Sequence, residues 1–160
     1  MSDSTLYEDD ILLWSEQQAA AIRKLSSTRR DLPNELDIEN VAEEIESVGR
    51  SELAAVESYL RLILLHLMKL VAEAGSQAAH HWRGEIVGFH SDMIRRYSPS
   101  MRQRIDLDQL WLSAREQLML AYDGAQEQAV ADLPTECPIS LDDLIAERID
   151  SVALLESLRR

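Results

Sequence analysis

The chain has 160 residues, of which 46% are hydrophobic, 28% are charged and 5% are aromatic. This is enough for one domain with a buried core, and five glycines and four prolines are too few for a disordered or turn-rich β protein. The net charge of −13 argues against binding nucleic acid or an anionic membrane over the whole surface, because phosphate groups repel an acidic protein.

The sequence also indicates a compartment. The single cysteine, Cys137, cannot form an internal disulfide, which fits a reducing environment. The N-terminal segment MSDSTLYEDD is acidic where a signal peptide requires basic residues. The longest apolar run, residues 62–68, is interrupted by His66 and is much shorter than a membrane span. We therefore expect a cytoplasmic protein without a membrane segment.

Apolar residues recur at helical spacing from the start of the chain. They predict a first helix over about residues 4–26, followed by a loop in which Pro33 prevents continuation. Asp37 is a suitable N-cap for a second, acidic helix, and Gly49 is expected to end it.

A third helix is predicted to begin after Ser51 and to end near Gly75. Its segment 59–71 is apolar nearly all the way round, which is typical of a helix at the centre of a bundle. Three tryptophans in other segments, Trp14, Trp82 and Trp111, also occur at spacings typical of core positions. The third helix should therefore be buried.

Two more main helices are predicted, the fourth over roughly residues 77–97 and the fifth over about 101–130. Ser140 and Asp143 then resemble a capping box for a short C-terminal helix. These elements predict an all-α fold, in which residues 1–160 form a single-domain bundle of five main helices plus the short one.

Charged residues are unevenly distributed along the chain. An acidic block without a basic residue contains Glu35, Asp37, Glu39, Glu43, Glu44 and Glu46. A basic cluster contains Arg95, Arg96, Arg102 and Arg104. These residues either lie on solvated faces or pair with each other across the bundle, or they form a face for a basic partner and a clamp for an anionic ligand. The spacing does not distinguish these interpretations.

The four histidines, His66, His80, His81 and His90, invite a test for metal binding. Di-iron bundles use Glu-x-x-His pairs and hydrolytic zinc helices use His-Glu-x-x-His, and neither motif occurs here. We therefore predict neither a metal nor a cofactor. A site assembled in space from His66, His90 and a third group stays open as an alternative.

His66 is a candidate binding residue because it interrupts an otherwise apolar helix. A buried polar group needs a hydrogen-bond partner, and Glu44 is the carboxylate that we expect to supply it. Such a pair is either structural or catalytic. The candidate binding residues are Glu43, Glu44, His66, Trp82 and Arg102, with Arg102 as an anion clamp.

Several motifs carry a resemblance to a known family. They are Tyr7-x-x-Asp10-x-x-x-Trp14, the glutamate-rich stretch from Asp37 to Glu52, Leu64-Leu65-His66-Leu67-x-Lys69, Trp82, Ser98-Pro99-Ser100-Met101-Arg102 and Glu136-Cys137-Pro138-x-x-Leu141. Over residues 7–146 the chain resembles the bacterial family known as domain of unknown function twenty-nine. The resemblance implies a compact all-helical fold and supplies no established activity.

Two hypotheses for function follow. The first is a non-enzymatic acidic interaction module for a basic protein partner, because an acidic helix face occurs without any catalytic spacing. The alternative is a small enzyme or sensor with a polar or metal pocket between the second, third and fourth predicted helices. We expect no nucleic-acid or membrane binding, and self-association into a homo-oligomer stays open.

Overall fold

The computed structural model describes residues 3–159, in which the chain forms α-helices, one 3₁₀ turn over Pro99–Gln103 and no β-strand. The helices are α1 (Asp3–Asp9), α2 (Ile11–Thr28), α3 (Ile38–Ala72), α4 (Ala79–Arg96), α5 (Leu107–Ala121), α6 (Gly124–Ala131), α7 (Leu141–Leu144) and α8 (Ser151–Leu158). The all-α prediction is confirmed.

The chain divides into two compact units. The first unit comprises residues 3–55 together with Arg96–Arg104, and the second comprises Val56–Arg95 together with residues 105–159. The acidic beginning of α3 belongs to the first unit and its apolar end belongs to the second.

The predicted helix end at Gly49 is wrong, because α3 continues through Gly49 and Ser51 without a break. Gly49 is buried, and a Cβ at this position would lie 2.1 Å from the Ser15 Oγ and 3.0 Å from the Leu12 Cα. Both neighbours belong to α2. The glycine therefore allows two helix backbones to approach closely, a role that uses its missing side chain rather than its conformational freedom.

The first predicted helix is also interrupted, since α1 ends at Asp9 and α2 begins at Ile11. Asp10 lies between them, and its carboxylate accepts a hydrogen bond from the amide of Leu13, which caps the N-terminus of α2. Tyr7 and Trp14 pack edge to face across the break, with ring centroids 4.7 Å apart.

The fifth predicted helix is three elements instead of one. After the 3₁₀ turn, Asp106 caps α5 by accepting a hydrogen bond from the Gln109 amide. The helix ends before Tyr122, and α6 begins at Gly124, where φ is +56°. A left-handed residue cannot continue a right-handed helix, which explains the break.

The apolar end of α3 forms the centre of the second unit, as predicted. Its Leu60, Ile63, Leu64, Leu67 and Met68 are completely buried. The predicted core tryptophans of this unit, Trp82 and Trp111, are buried too.

The C-terminal region extends beyond the one short helix that was predicted. Ser140 caps α7 by accepting from the Asp143 amide, which confirms the predicted cap. A further helix, α8, follows and buries Leu154, Leu155 and Leu158. No helix within residues 3–159 combines the length and apolarity needed to cross a bilayer.

We expect Gly49→Ala to lower the free energy of unfolding by about 1–3 kcal/mol, because the new methyl group overpacks the contact with α2. Gly88→Ala is the matched control within α4, because a Cβ there has no atom within 4 Å. It should raise stability by up to about 1 kcal/mol through helix propensity. Denaturant unfolding of both variants measures this, and equal effects at the two positions would contradict the close approach.

Candidate functional site

Three carboxylates of the acidic block are paired within the chain. Arg23 of α2 donates to Glu39 at 2.9 Å, to Glu46 at 2.8 Å and to Glu43 at 3.4 Å. Arg50 binds Glu43 as well. The hydrogen bond from Arg23 holds the pKa of Glu46 below its usual range. We call these five residues the Arg23 cluster. The acidic block is thus paired in part, but with Arg23 and Arg50 rather than with the predicted basic cluster.

The other side of α3 is different. Because each helical residue turns by about 100°, Val41, Glu44 and Val48 share a face that points away from Glu39 and Glu46. Val41 is 38% exposed and Val48 is 44% exposed. Within residues 3–159, no basic side chain pairs with the exposed carboxylate of Glu44. The acidic block is thus divided by helical phase into a paired set and an open set.

An apolar cavity of about 150 Å³ lies beside this open face. We call it the aliphatic groove, and it is lined by Ile22, Leu25, Leu32, Leu36, Ile38 and Val41. Leu25 and Leu36 are 45% and 46% exposed. The groove combines the end of α2, the following loop and the start of α3, so contiguous aliphatic surface faces solvent here.

His66 has a carboxylate partner, as predicted, but the partner is Glu85 rather than Glu44. The His66 Nε2 lies 2.8 Å from the Glu85 Oε2, and its Nδ1 lies 2.8 Å from the carbonyl oxygen of Leu62. Glu44 is on the same continuous helix, about six turns away, and therefore cannot reach His66. The expected pairing failed because it assumed that two separate helices could fold side by side.

Each ring nitrogen of His66 has its own partner. The carbonyl oxygen of Leu62 only accepts, so Nδ1 donates to it. The Glu85 carboxylate lies against Nε2. Both nitrogens of this buried ring are engaged, and neither can bind a ligand unless one of these contacts breaks.

The surroundings of His66 are aromatic and basic. His81, which is exposed as predicted, places its Nε2 3.4 Å from the same Glu85 oxygen. The Phe89 ring meets His66 edge-on at 5.3 Å, and Lys69 lies 5.7 Å from the centroid of the buried Trp82 ring. In the part of the chain that the structure describes, no three His, Cys, Asp or Glu side chains are grouped so that they could hold a metal ion.

The predicted binding residues fall into two groups. Glu43, Glu44 and the exposed Arg102 belong to the first unit, whereas His66 and Trp82 belong to the second. The rest of the predicted basic cluster forms ion pairs: Arg95 with Asp92, Arg96 with Glu52, and Arg104 with Glu16. These three guanidinium groups are therefore each engaged by a carboxylate of the chain itself.

Asp10 is a buried carboxylate that side-chain spacing alone did not single out. Only 6% exposed, it accepts hydrogen bonds from the Ser100 amide at 2.8 Å, the Ser100 hydroxyl at 2.6 Å and the Leu13 amide at 3.1 Å. Burial raises the pKa of Asp10, but these hydrogen bonds outweigh burial and hold it below the usual value. The residue anchors the 3₁₀ turn to the start of α2.

The single cysteine is unsuited to nucleophilic chemistry. Burial, and then the negative charge of Asp108, raises the pKa of the Cys137 thiol to about 11. Its Sγ donates a hydrogen bond to the carbonyl of Ile139. The thiol is therefore protonated near neutral pH, and the thiolate is the reactive form.

Comparison with known proteins agrees with this fold. A family model described as domain of unknown function DUF29 matches residues 6–149. The chain belongs to this family. The crystal structure of an alpha-helical protein of unknown function from Rhodospirillum rubrum is 34% identical, with a TM-score of 0.83 over 95% of this chain and 96% of that one. No curated protein matches the chain.

We expect Asp10→Asn to lower the free energy of unfolding by about 1–3 kcal/mol at neutral pH, because an amide NH₂ group replaces an oxygen that accepts hydrogen bonds. The lowered pKa makes this contribution present above the ordinary value of 3.8 and lost as the pH falls below it. Unfolding midpoints of both proteins should therefore converge below about pH 3.8. Asp9→Asn, at an exposed neighbouring position, should change little throughout. A gap independent of pH would contradict the role of the carboxylate.

A double-mutant cycle tests the partner of His66. Glu85→Ala and His66→Leu should be coupled by about 1–2 kcal/mol in unfolding free energy, because each removes the other's partner. The control cycle, Glu44→Ala with His66→Leu, should be additive within about 0.5 kcal/mol. Coupling in the control cycle alone would restore Glu44 as the partner.

Proposed function

We propose that this protein is a non-enzymatic interaction module whose aliphatic groove binds a basic amphipathic segment of a partner protein. The observation that carries the proposal is the position of the groove beside the open carboxylates of α3. Apolar side chains would enter the groove, and basic side chains would meet Glu44 and its acidic neighbours.

The apolar part of the proposal rests on exposure. Single exposed hydrophobic residues are ordinary, but Leu25, Leu36 and Val41 line one cavity together. A groove of this kind accepts side chains spaced three and four residues apart on a helix, as amphipathic helices present them. Burial of these aliphatic groups would supply most of the affinity.

The electrostatic part rests on which charges are already compensated. Among the described residues, no basic group pairs with Glu35, Asp37 or Glu44, although Asp37 accepts hydrogen bonds from Asn40. Lys24 and Arg30 lie on the α2 side, so the acidic edge of the groove runs along α3. The whole protein carries a net charge of −13, which adds to the negative potential at this edge. The edge would therefore increase the association rate of a basic partner, and salt would weaken the effect.

One observation favours the alternative, a small enzyme or sensor. Glu85 of α4 is shared by the buried His66 and the exposed His81, which connects a core histidine to the surface. Catalysis by general acid or base would need a free ring nitrogen on His66, however, and both are bound. This arrangement supports a structural role for His66 and leaves the interaction module as the better proposal.

We expect the protein to bind an 18-residue peptide that has leucines at alternating spacings of three and four residues and lysines at the other positions. A peptide in which glutamates replace the lysines should not bind. Fluorescence anisotropy of labelled peptides measures both, and a scrambled leucine–lysine peptide should bind less tightly. Val41→Asp and Glu44→Lys should each lower the affinity for the unscrambled leucine–lysine peptide by about tenfold, which corresponds to a loss of about 1.4 kcal/mol in binding free energy.

Matched controls separate the groove from general acidity. Val152→Asp changes another exposed valine and Glu116→Lys changes another exposed glutamate, both in the second unit. Neither should alter the affinity by more than about twofold at 150 mM salt, because neither side chain lines the aliphatic groove and salt screens exposed charges. Equal losses in all four variants, or equal binding of the scrambled peptide, would overturn the proposal.

A further inference from the structure

A second cavity, of about 350 Å³, lies within the second unit. One wall is the outward face of α4, where Val87, His90, Ser91, Ile94 and Arg95 recur at helical spacing. The other wall is formed by residues 147–149, between α7 and α8. Its volume lies at the lower end of the range for small-molecule sites, so a ligand of modest size would fit.

His90 is the polar anchor of this cavity. The ring is 6% exposed, and its Nε2 donates a hydrogen bond of 2.9 Å to the carbonyl oxygen of Ala146, which holds the loop against α4. Its Nδ1 has no hydrogen-bond partner among residues 3–159. Among the described residues, the buried side-chain N or O atom that lacks a partner is the Ser98 Oγ, so the Nδ1 of His90 is not sealed off and can be reached from the cavity.

The charges around the cavity are mainly positive, although the protein as a whole is strongly negative. Arg95 and Arg148 both line it, and Arg148 makes no ion pair with any described carboxylate. Arg95 is paired with Asp92, but a guanidinium has five N–H donors and can bind a second group. The Ser91 hydroxyl adds another donor, and Glu147 is the one carboxylate in the lining.

We propose that this cavity binds a small carboxylic acid with a short aliphatic body. Arg148, Arg95 and Ser91 would bind the carboxylate. Val87, Ile94 and Ile149 supply apolar surface for the aliphatic body. A single negative charge suits the site better than a dianion, because Glu147 would repel the second charge. This site does not depend on the aliphatic groove.

The test is a two-dimensional ¹H–¹⁵N NMR titration of the full chain with sodium hexanoate. Saturable shifts are expected at the amides of Ser91, Arg148 and Ile149, with a dissociation constant of about 1 mM, as for a weak small ligand. Sodium phosphate tests for charge alone, and 1-hexanol tests for the aliphatic chain alone. Both should bind at least about tenfold more weakly than hexanoate, because phosphate has no aliphatic chain and hexanol has no carboxylate.

Two variants test the assigned residues. Arg148→Gln should lower the affinity for hexanoate by about tenfold, and Ser91→Ala should lower it by about threefold. The control is Arg83→Gln, which changes an exposed arginine of α4 outside the cavity and should leave the affinity unchanged. Both tested side chains are exposed, so the variants should fold. Equal binding of hexanol or phosphate, shifts confined to other residues, or unchanged affinity in Arg148→Gln and Ser91→Ala would each overturn the proposal.

Discussion

The contact of Gly49 with Ser15 and Leu12 is the constraint on which the first unit depends. It lets the backbones of α2 and α3 approach more closely than any side chain at this position would allow. The ion pair between Arg23 and Glu39 lies toward the other end of the two helices, which shows that they run antiparallel. Together these contacts fix the rotation of α3 about its own axis.

That rotation decides which carboxylates are available to a partner. Glu39 and Glu46 face Arg23, where their charge is compensated. Val41 and Glu44 consequently point to the opposite side, next to the aliphatic groove. An acidic helix that looks uniform along the sequence thus has one face used for internal stability and one face left for recognition, because residues two positions apart, such as Glu39 and Val41, point to nearly opposite sides of a helix.

In the second unit, hydrogen-bond partners hold two buried histidines in position. His66 lies in the apolar part of α3, and its burial is tolerated because both nitrogens have partners. His90 is equally buried but has only one, the carbonyl oxygen of Ala146. Burial of the ring alone therefore does not indicate function: the Nε2 of His66 is held by Glu85, whereas the Nδ1 of His90 can be reached from the cavity.

Local sequence patterns predicted the features that depend on local physics. The apolar breadth of residues 59–71 predicted burial, and Ser140 predicted a cap, because both signals reside in the segment itself. Gly49 misled because glycine favours both helix ends and close helix contacts, and only the position of Ser15 distinguishes them. Likewise, a carboxylate partner for His66 was predictable, but its identity as Glu85 required knowledge of how α4 packs.

The aliphatic groove and the cavity at His90 were not predictable for a related reason. Each combines residues from segments that are distant in sequence or lie in loops, such as Leu36 beside Ile22 and Arg148 beside Ser91. No period or motif connects such residues. Their proximity follows from the packing of helices and loops, which local patterns do not encode.

The central claim, that the phase of α3 leaves a recognition face at the aliphatic groove, is tested most directly by paramagnetic relaxation. A spin label on the leucine–lysine peptide should broaden the amide signals of Leu25 and Val41 and leave that of Leu120, an exposed leucine in the second unit, unchanged. Broadening that is strongest at Leu120, or uniform over the acidic surface, would contradict the claim.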